Sequence, residues 1–420
     1  MRQIQIIALC LPIWIALPLL AADEKKPEFI TVKTKNYTIE TDVSQEYGEA
    51  IGELMEDAHS AYSSIFRRVK PRVKFPSIVR IYRTRTGYLE FYKKLAGRSG
   101  GASGGFFIRT KEGGLLVSFA EGQPLSTVKE TLYHEGFHQF LASRVPDAPI
   151  WLNEGLATLF QYGLRKGKTL DARAIPVDRL RFLQKAIREG KTKPLSTLMD
   201  STLLEWHRAT EIEQYLCYCQ SWMLVYFLAY SSKGKYQNAL NQYIMLLHDG
   251  APALRARIAA FGEDTYALEE AWKEFALACQ PSPMYVCKEN MGLIGVLVMV
   301  YQKRLNKRYT DIAEFKADIL EEKLKGWELP LSGGGTVKSS DLDQIKGWFR
   351  CPERGSNKDQ MDYAFTRERD PEGEYPDILC RWHKGTELRL YWYRDPADDK
   401  LKPDIIDERP GDRLGLKVAP

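Results

Sequence analysis

Two histidines four residues apart can grip one ion only where the chain between them is helical. The run Tyr133-His134-Glu135-Gly136-Phe137-His138-Gln139-Phe140 has that spacing. On a helix the two side chains leave the same face about one turn apart. Both imidazoles then reach a single tetrahedral Zn²⁺ at roughly 2.0–2.1 Å. Glu135 follows His134 directly, so its carboxylate falls beside such an ion rather than on it. There it can take a proton from water attacking a carbonyl. The bland alternative is a core helix that carries two histidines by coincidence, and Leu132, Tyr133, Phe137, Phe140 and Leu141 do form an apolar stripe. Yet buried histidines need partners, and a metal satisfies two at once.

A second stretch, Pro149-Ile150-Trp151-Leu152-Asn153-Glu154-Gly155-Leu156-Ala157-Thr158, narrows the choice. Fifteen residues lie between His138 and Glu154. Proline disfavours helix in the residue before it, so Val145-Pro146-Asp147-Ala148-Pro149 supplies a break and a loop over Arg144–Pro149. Glu154, in the first turns of the following helix, can swing back as third ligand. Two histidines and a glutamate leave one position open for water, the arrangement of catalytic rather than structural zinc.

The pairing of HEGFHQF with WLNEGLA resembles the gluzincin metallopeptidases, the peptidase-MA clan that includes thermolysin-like proteases and zinc aminopeptidases. It is closest to the poorly characterised secreted bacterial families with a short gap between the two motifs. The resemblance spans roughly Phe29 to Phe275 and implies a zincin-like fold. It implies His134, His138 and Glu154 as ligands, Glu135 as general base and acid, and Thr158 as a group bracing a ligand histidine. The glycine-, methionine- and glutamate-rich amine-binding motif of the aminopeptidase branch is not found. Similar proteins place an aromatic-rich helix where Tyr215–Tyr226 lies. Tyr218 is the candidate there to donate to an oxyanion, against a plain core aromatic; His207 is a second candidate whose position nothing fixes.

The chain's 420 residues suffice for two or three domains. A net charge of +5 is spread along the chain without aromatic interleaving, which speaks against a nucleic-acid face. Met1–Ala22, with Arg2, an apolar run over Ile4–Leu20 and Ala21-Ala22, has the make-up of a secretory signal cleaved after Ala22. A retained anchor is the alternative, since the run approaches a span's length. The expectation is an exported protein, periplasmic or extracellular, with no stable membrane span after cleavage. Removing Cys10 leaves six cysteines. Cys351 with Cys380, and Cys279 with Cys287, read as pairs. Cys217 and Cys219 read as buried hydrophobes.

Alternation marks strands at Phe29–Thr34, Tyr37–Thr41, Ile78–Tyr82, Phe106–Arg109 and Leu115–Phe119. Helical spacing marks helices at Glu46–Phe66 and Thr86–Leu95. His59 in the first reads as a surface or interface histidine. The glycine-rich run Gly97–Gly105 lacks the Lys-Ser/Thr ending of a phosphate cradle, and reads as a lid or surface loop. The strand before the zinc helix would edge the cleft, where a peptide can add. From Leu159 to about Leu277 the pattern is helical with charged faces, with helices at Val177–Glu189, Ile212–Tyr230, Tyr236–Leu247 and Leu268–Leu277.

A boundary falls near Cys279–Pro283. Met291–Tyr301 is apolar but shorter than a span, so it reads as a buried helix continuing through Lys307. The stretch Val286–Arg394 is weakly similar to pseudopilin-like proteins, without their amino-terminal membrane helix. Strands are expected at Trp348–Arg350, Tyr363–Thr366 and Leu388–Tyr393. His383 is a lone surface histidine, and Asp395–Pro420 a polar tail that frays. The expectation is therefore α+β: a signal at 1–22, a zincin-like catalytic domain at 28–280, a small accessory α+β module at 284–395 and a tail at 396–420. It would be a Zn²⁺ peptidase acting on a peptide or protein substrate, its oligomeric state open. The rival is a non-enzymatic envelope binding or assembly protein on the same scaffold.

Overall fold

The computed structural model describes residues 28–72, 76–96, 104–109, 113–166, 169–231, 235–331, 334–350, 363–381, 387–395 and 398–408. The signal-like stretch, residues 97–103 of the glycine-rich run, Cys351 and His383 lie outside them. The fold is α+β. In the first half β1 (Ile30–Lys33), β2 (Thr38–Thr41), α1 (Gln45–Ile65), β3 (Ser77–Tyr82), α2 (Arg85–Ala96), β4 (Gly105–Arg109) and β5 (Gly114–Phe119) stand within two residues of their expected bounds. The strands form one sheet in the order β1-β2-β3-β5-β4. Strands β2, β3 and β5 run parallel, and the antiparallel β1 and β4 are its edges.

Across this sheet lies α3 (Leu125–Ala142), with α4 (Ile150–Gln161) packed on it, followed by the hairpin β6 (Leu164–Lys166) and β7 (Thr169–Asp171). That hairpin lies at the start of the stretch read as helical, before the first helix named there; Gly163 and the polar residues around it break the helical spacing. Then come α5 (Val177–Arg188), α6 (Leu195–Asp200), α7 (Leu203–Arg208), α8 (Glu211–Tyr230), α9 (Lys235–His248), α10 (Ala253–Phe261) and α11 (Tyr266–Ala278). Pro124, Pro149 and Pro176 stand immediately before α3, α4 and α5, fixing where each begins. In α7 and α8 the start is set by capping boxes, Thr202 with Glu205 and Thr210 with Glu213.

The helix–helix contact that matters most for the site is α4 against α8. A Cβ on Gly155 would stand 2.6 Å from the Ser221 carbonyl oxygen and 2.9 Å from Val225 Cγ2, so the two backbones touch. Gly155→Ala is expected to lower stability by about 1–3 kcal/mol, because neither helix can yield without dragging a packed neighbour. A thermal melt checks this, and an unchanged midpoint would mean the helices separate freely.

The second half contains α12 (Pro283–Leu305), α13 (Ile312–Leu320), the β8 (Glu328–Pro330) and β9 (Thr336–Lys338) pair, and α14 (Leu342–Trp348). It closes with the antiparallel sheet β10 (Tyr363–Arg369), β11 (Pro376–Arg381), β12 (Glu387–Asp395) and β13 (Lys400–Glu408). By length and composition α12 could cross a membrane, but 61 % of its most apolar window is buried inside the protein.

Three expectations are corrected here. Trp348–Arg350 is the end of α14 and the turn after it, not a strand; Ile345, Trp348 and Phe349 are buried at helical spacing. The supposed fraying tail contains β13, paired with β12 from Glu387↔Glu408 to Asp395↔Lys400. Cys279 is a free thiol, so no short loop with Cys287 is closed. Cys279 packs on the first core and Cys287 lies in the second, which turns the two away from each other. Nor is the second core self-contained. Tyr162, Leu164, Ala174 and Val177 from the first half are part of it.

Candidate metal centre

Helix α3 is fixed from three sides before its polar face does anything. The Gln139 amide donates to the carbonyls of Ile78 (3.0 Å) and Gly114 (2.7 Å), tying the helix to β3 and β5. The Tyr62 hydroxyl on α1 donates to the Tyr133 carbonyl at 2.7 Å. Phe137 stacks on Phe160 of α4, ring centroids 5.1 Å apart, and both pack against Tyr62. With that face buried, His134, Glu135 and His138 are left half-buried on the opposite one. Trp151, stacked on Tyr243 of α9, and the tight seat at Gly155 orient α4 so that Glu154 faces them.

The ligand atoms of His134, Glu135 and His138 lie within 4.8 Å of one another. Glu154 Oε2 stands 3.2 Å from His134 Nε2 and 3.6 Å from His138 Nε2. The edge of a zinc-sized tetrahedron with bonds of 2.0–2.1 Å is about 3.3 Å. Behind the rings, His138 Nδ1 faces Asn153 Oδ1 at 2.8 Å and His134 Nδ1 faces Gln161 Oε1 at 3.1 Å. An amide oxygen only accepts, so each Nδ1 donates its proton there and each Nε2 is turned toward Glu154. Glu154 Oε2 itself is buried with no hydrogen-bond donor. Three acceptors converging on one point fit a cation there.

Burial would raise the Glu154 carboxyl, but the two imidazoles outweigh it and hold it below the ordinary value. Glu135 goes the other way. Burial, with the Glu154 charge adding, pushes it up to about 7, against the pull of His138 and the Phe107 backbone N–H. Phe107 is on the edge strand β4, so the edge of the sheet and the free carboxylate meet at one place. The phenol of Tyr218 is raised above its ordinary value, first by the charge of Glu154, then by burial and Glu135, so it stays a protonated donor. Its ring packs edge-on against Trp206.

The structure brings His134, Glu135, His138 and Glu154 together and sets Tyr218 near enough for the charges of Glu154 and Glu135 to act on it. It does not give Thr158 the expected bracing role: the Thr158 hydroxyl is buried without a hydrogen bond. Asn153 and Gln161 brace the histidines instead. Their signal was present in the sequence, as polar residues in the otherwise apolar IWLNEGLATLFQ. His207 is exposed on α7, near enough for its charge to act on Glu154. His59 is half-buried, facing the Tyr37 hydroxyl and packed edge-on to Phe140. A surface recess bounded by Ala61, Phe160, Leu170, Asp171 and Tyr230 contains none of these groups.

Residues 128–245 match a family described as a protein of unknown function, DUF1570. The matched stretch carries both histidines, Glu154 and all of α8. No curated protein matches the chain.

Proposed function

We propose that this protein is an exported, zinc-dependent peptidase of gluzincin-like design, in which His134, His138 and Glu154 hold the ion. The reading is carried by three converging side chains, with Glu154 Oε2 at 3.2 and 3.6 Å from the two Nε2 atoms, and by a fourth group, the Glu135 carboxylate, that stands beside them. Two imidazoles and a carboxylate are the donor set of catalytic zinc. When bound, Zn²⁺ would supply Lewis acidity, polarising a carbonyl and making water more acidic. Glu135 takes the proton from the attacking water and later passes it to the leaving amine. Tyr218 donates to the developing oxyanion. A peptide or protein substrate lies along β4, adding as a further strand where the sheet edge meets Glu135.

The test is metal content of the purified protein, followed by cleavage of a mixed peptide library with and without chelator. About one equivalent of zinc and chelator-sensitive cleavage are expected. Absence of both would sink the reading in favour of a binding or assembly role. Asn153→Ala, which frees the His138 ring, should weaken metal binding by roughly 10–100-fold.

A further inference from the structure

The Gln161 amide that braces His134 is itself held from behind. Its oxygen stands 3.1 Å from His134 Nδ1, and its NH₂ donates to the Tyr162 hydroxyl at 3.3 Å. One amide therefore joins a buried phenol to a ligand imidazole. The two ends of an amide have nearly the same shape and opposite hydrogen-bonding character. Turned half-way round, the NH₂ of Gln161 would donate to Nδ1, and the proton of a neutral His134 ring would sit on Nε2. That nitrogen is 3.2 Å from Glu154 Oε2, and a carboxylate at that distance draws a proton toward itself. An Nε2 that carries a proton has no lone pair for a metal. Glu154 thus pulls His134 toward the tautomer that cannot bind an ion, and the Gln161 oxygen pulls it back.

Tyr162, the residue that ends α4, is firmly seated. It is buried, with the Arg179 guanidinium over its ring at 4.9 Å from the centroid. The Tyr285 hydroxyl donates to its carbonyl at 2.8 Å. To stabilise a turned amide, the Tyr162 hydroxyl would have to give its own proton to the Gln161 oxygen. Burial, with the charges of Glu130 and Asp178 adding, holds that proton on the phenol against the pull of Arg179. The same two carboxylates compete with the Gln161 oxygen for it, which favours the phenol oxygen as acceptor of the amide NH₂.

We infer that Tyr162 is a positioning residue of the metal centre: its hydroxyl, acting through the Gln161 amide, keeps the His134 proton on Nδ1 and leaves Nε2 for the ion. Tyr162 acts on His134 only through Gln161. The inference rests on the metal-binding part of the peptidase reading and adds a residue to that site.

The experiment reads two quantities on the same preparations. Heteronuclear NMR of metal-free protein with isotope-labelled histidine shows which nitrogen of the neutral His134 ring carries the proton, and calorimetry with zinc gives the affinity. Tyr162→Phe keeps the ring under Arg179 and removes only the hydroxyl. The parent is expected to show the proton on Nδ1. Tyr162→Phe should show a large share on Nε2 and bind zinc roughly tenfold more weakly. Gln161→Glu separates this from a packing effect, because a carboxylate accepts at either oxygen and needs no orienting partner. Tyr162→Phe made in that background should change neither tautomer nor affinity. An unchanged tautomer in Tyr162→Phe, or an equal loss in both backgrounds, overturns the inference and leaves Tyr162 a core aromatic. If the tautomer shifts as expected but the parent takes up no zinc, the link from Tyr162 to His134 stands and the metal reading falls. If zinc binds and the tautomer never shifts, the reverse holds.

Discussion

Glu135→Gln is expected to bind metal as the parent protein does and to hydrolyse peptides roughly 10²–10⁴-fold more slowly. The substitution keeps the volume of the side chain and an oxygen that can still accept from the Phe107 N–H, so the local packing has no reason to change. What it removes is a group able to hold a proton between the attacking water and the leaving amine. His134→Ala and His138→Ala fail differently. Each deletes one of the three converging acceptors, and each should lose metal and hydrolysis together. Zinc content and cleavage rate measured on the same preparations separate the two outcomes. A Glu135→Gln protein with full activity would remove Glu135 from the chemistry.

The pair of helices that carries these residues could be read directly from the chain, because its signals are local. Histidine spacing needs only one helix, and Pro146 and Pro149 need only their immediate neighbours to end one helix and start the next. The braces were harder. Thr158, one turn after Glu154, is the natural guess, but which polar side chain on α4 meets an Nδ1 depends on how α4 is rotated against α3. That rotation is set by distant contacts, Gly155 on Ser221 and Trp151 on Tyr243. Strand β13 was illegible for another reason. Its buried residues include Asp404 and Asp407, and Pro403 stands among them, so Lys400–Glu408 shows no apolar alternation. Proline is admissible because, among the described residues, β13 pairs only with β12 and needs no donor on its outer side. A strand that buries carboxylates looks, as sequence, like a tail.

Asp407→Ala is expected to cost about 3–5 kcal/mol. The Asp407 side chain is fully buried and binds the Lys129 ammonium of α3, with Lys288 of α12 at 3.5 Å and the Arg165 N–H at 3.1 Å. Removing it takes from two ammonium groups, each less than a tenth exposed, the buried carboxylate they share. The loss also reaches the metal centre, because α3 begins at Pro124 without a side-chain cap of its own. Its first free N–H groups are satisfied from the far end of the chain: Leu125 donates to the Tyr391 hydroxyl at 2.8 Å and Ser126 to Asp404 at 3.1 Å. The carboxy-terminal sheet therefore holds the helix that carries His134, and deleting it should unfold the site rather than merely detach an accessory. Acid provides an independent check. Burial would raise the Asp407 carboxyl, but Lys129 and Lys288 overcome this and hold it well below the usual range. A depressed folded-state pKa contributes stability above the ordinary value of about 4 and loses it as pH falls below that. The gap in unfolding free energy between the parent protein and Asp407→Asn should thus be full near neutrality and shrink progressively below about pH 4. Denaturant melts across that range measure it, and an Asp407→Ala protein as stable as the parent at neutral pH would show that the clamp holds nothing.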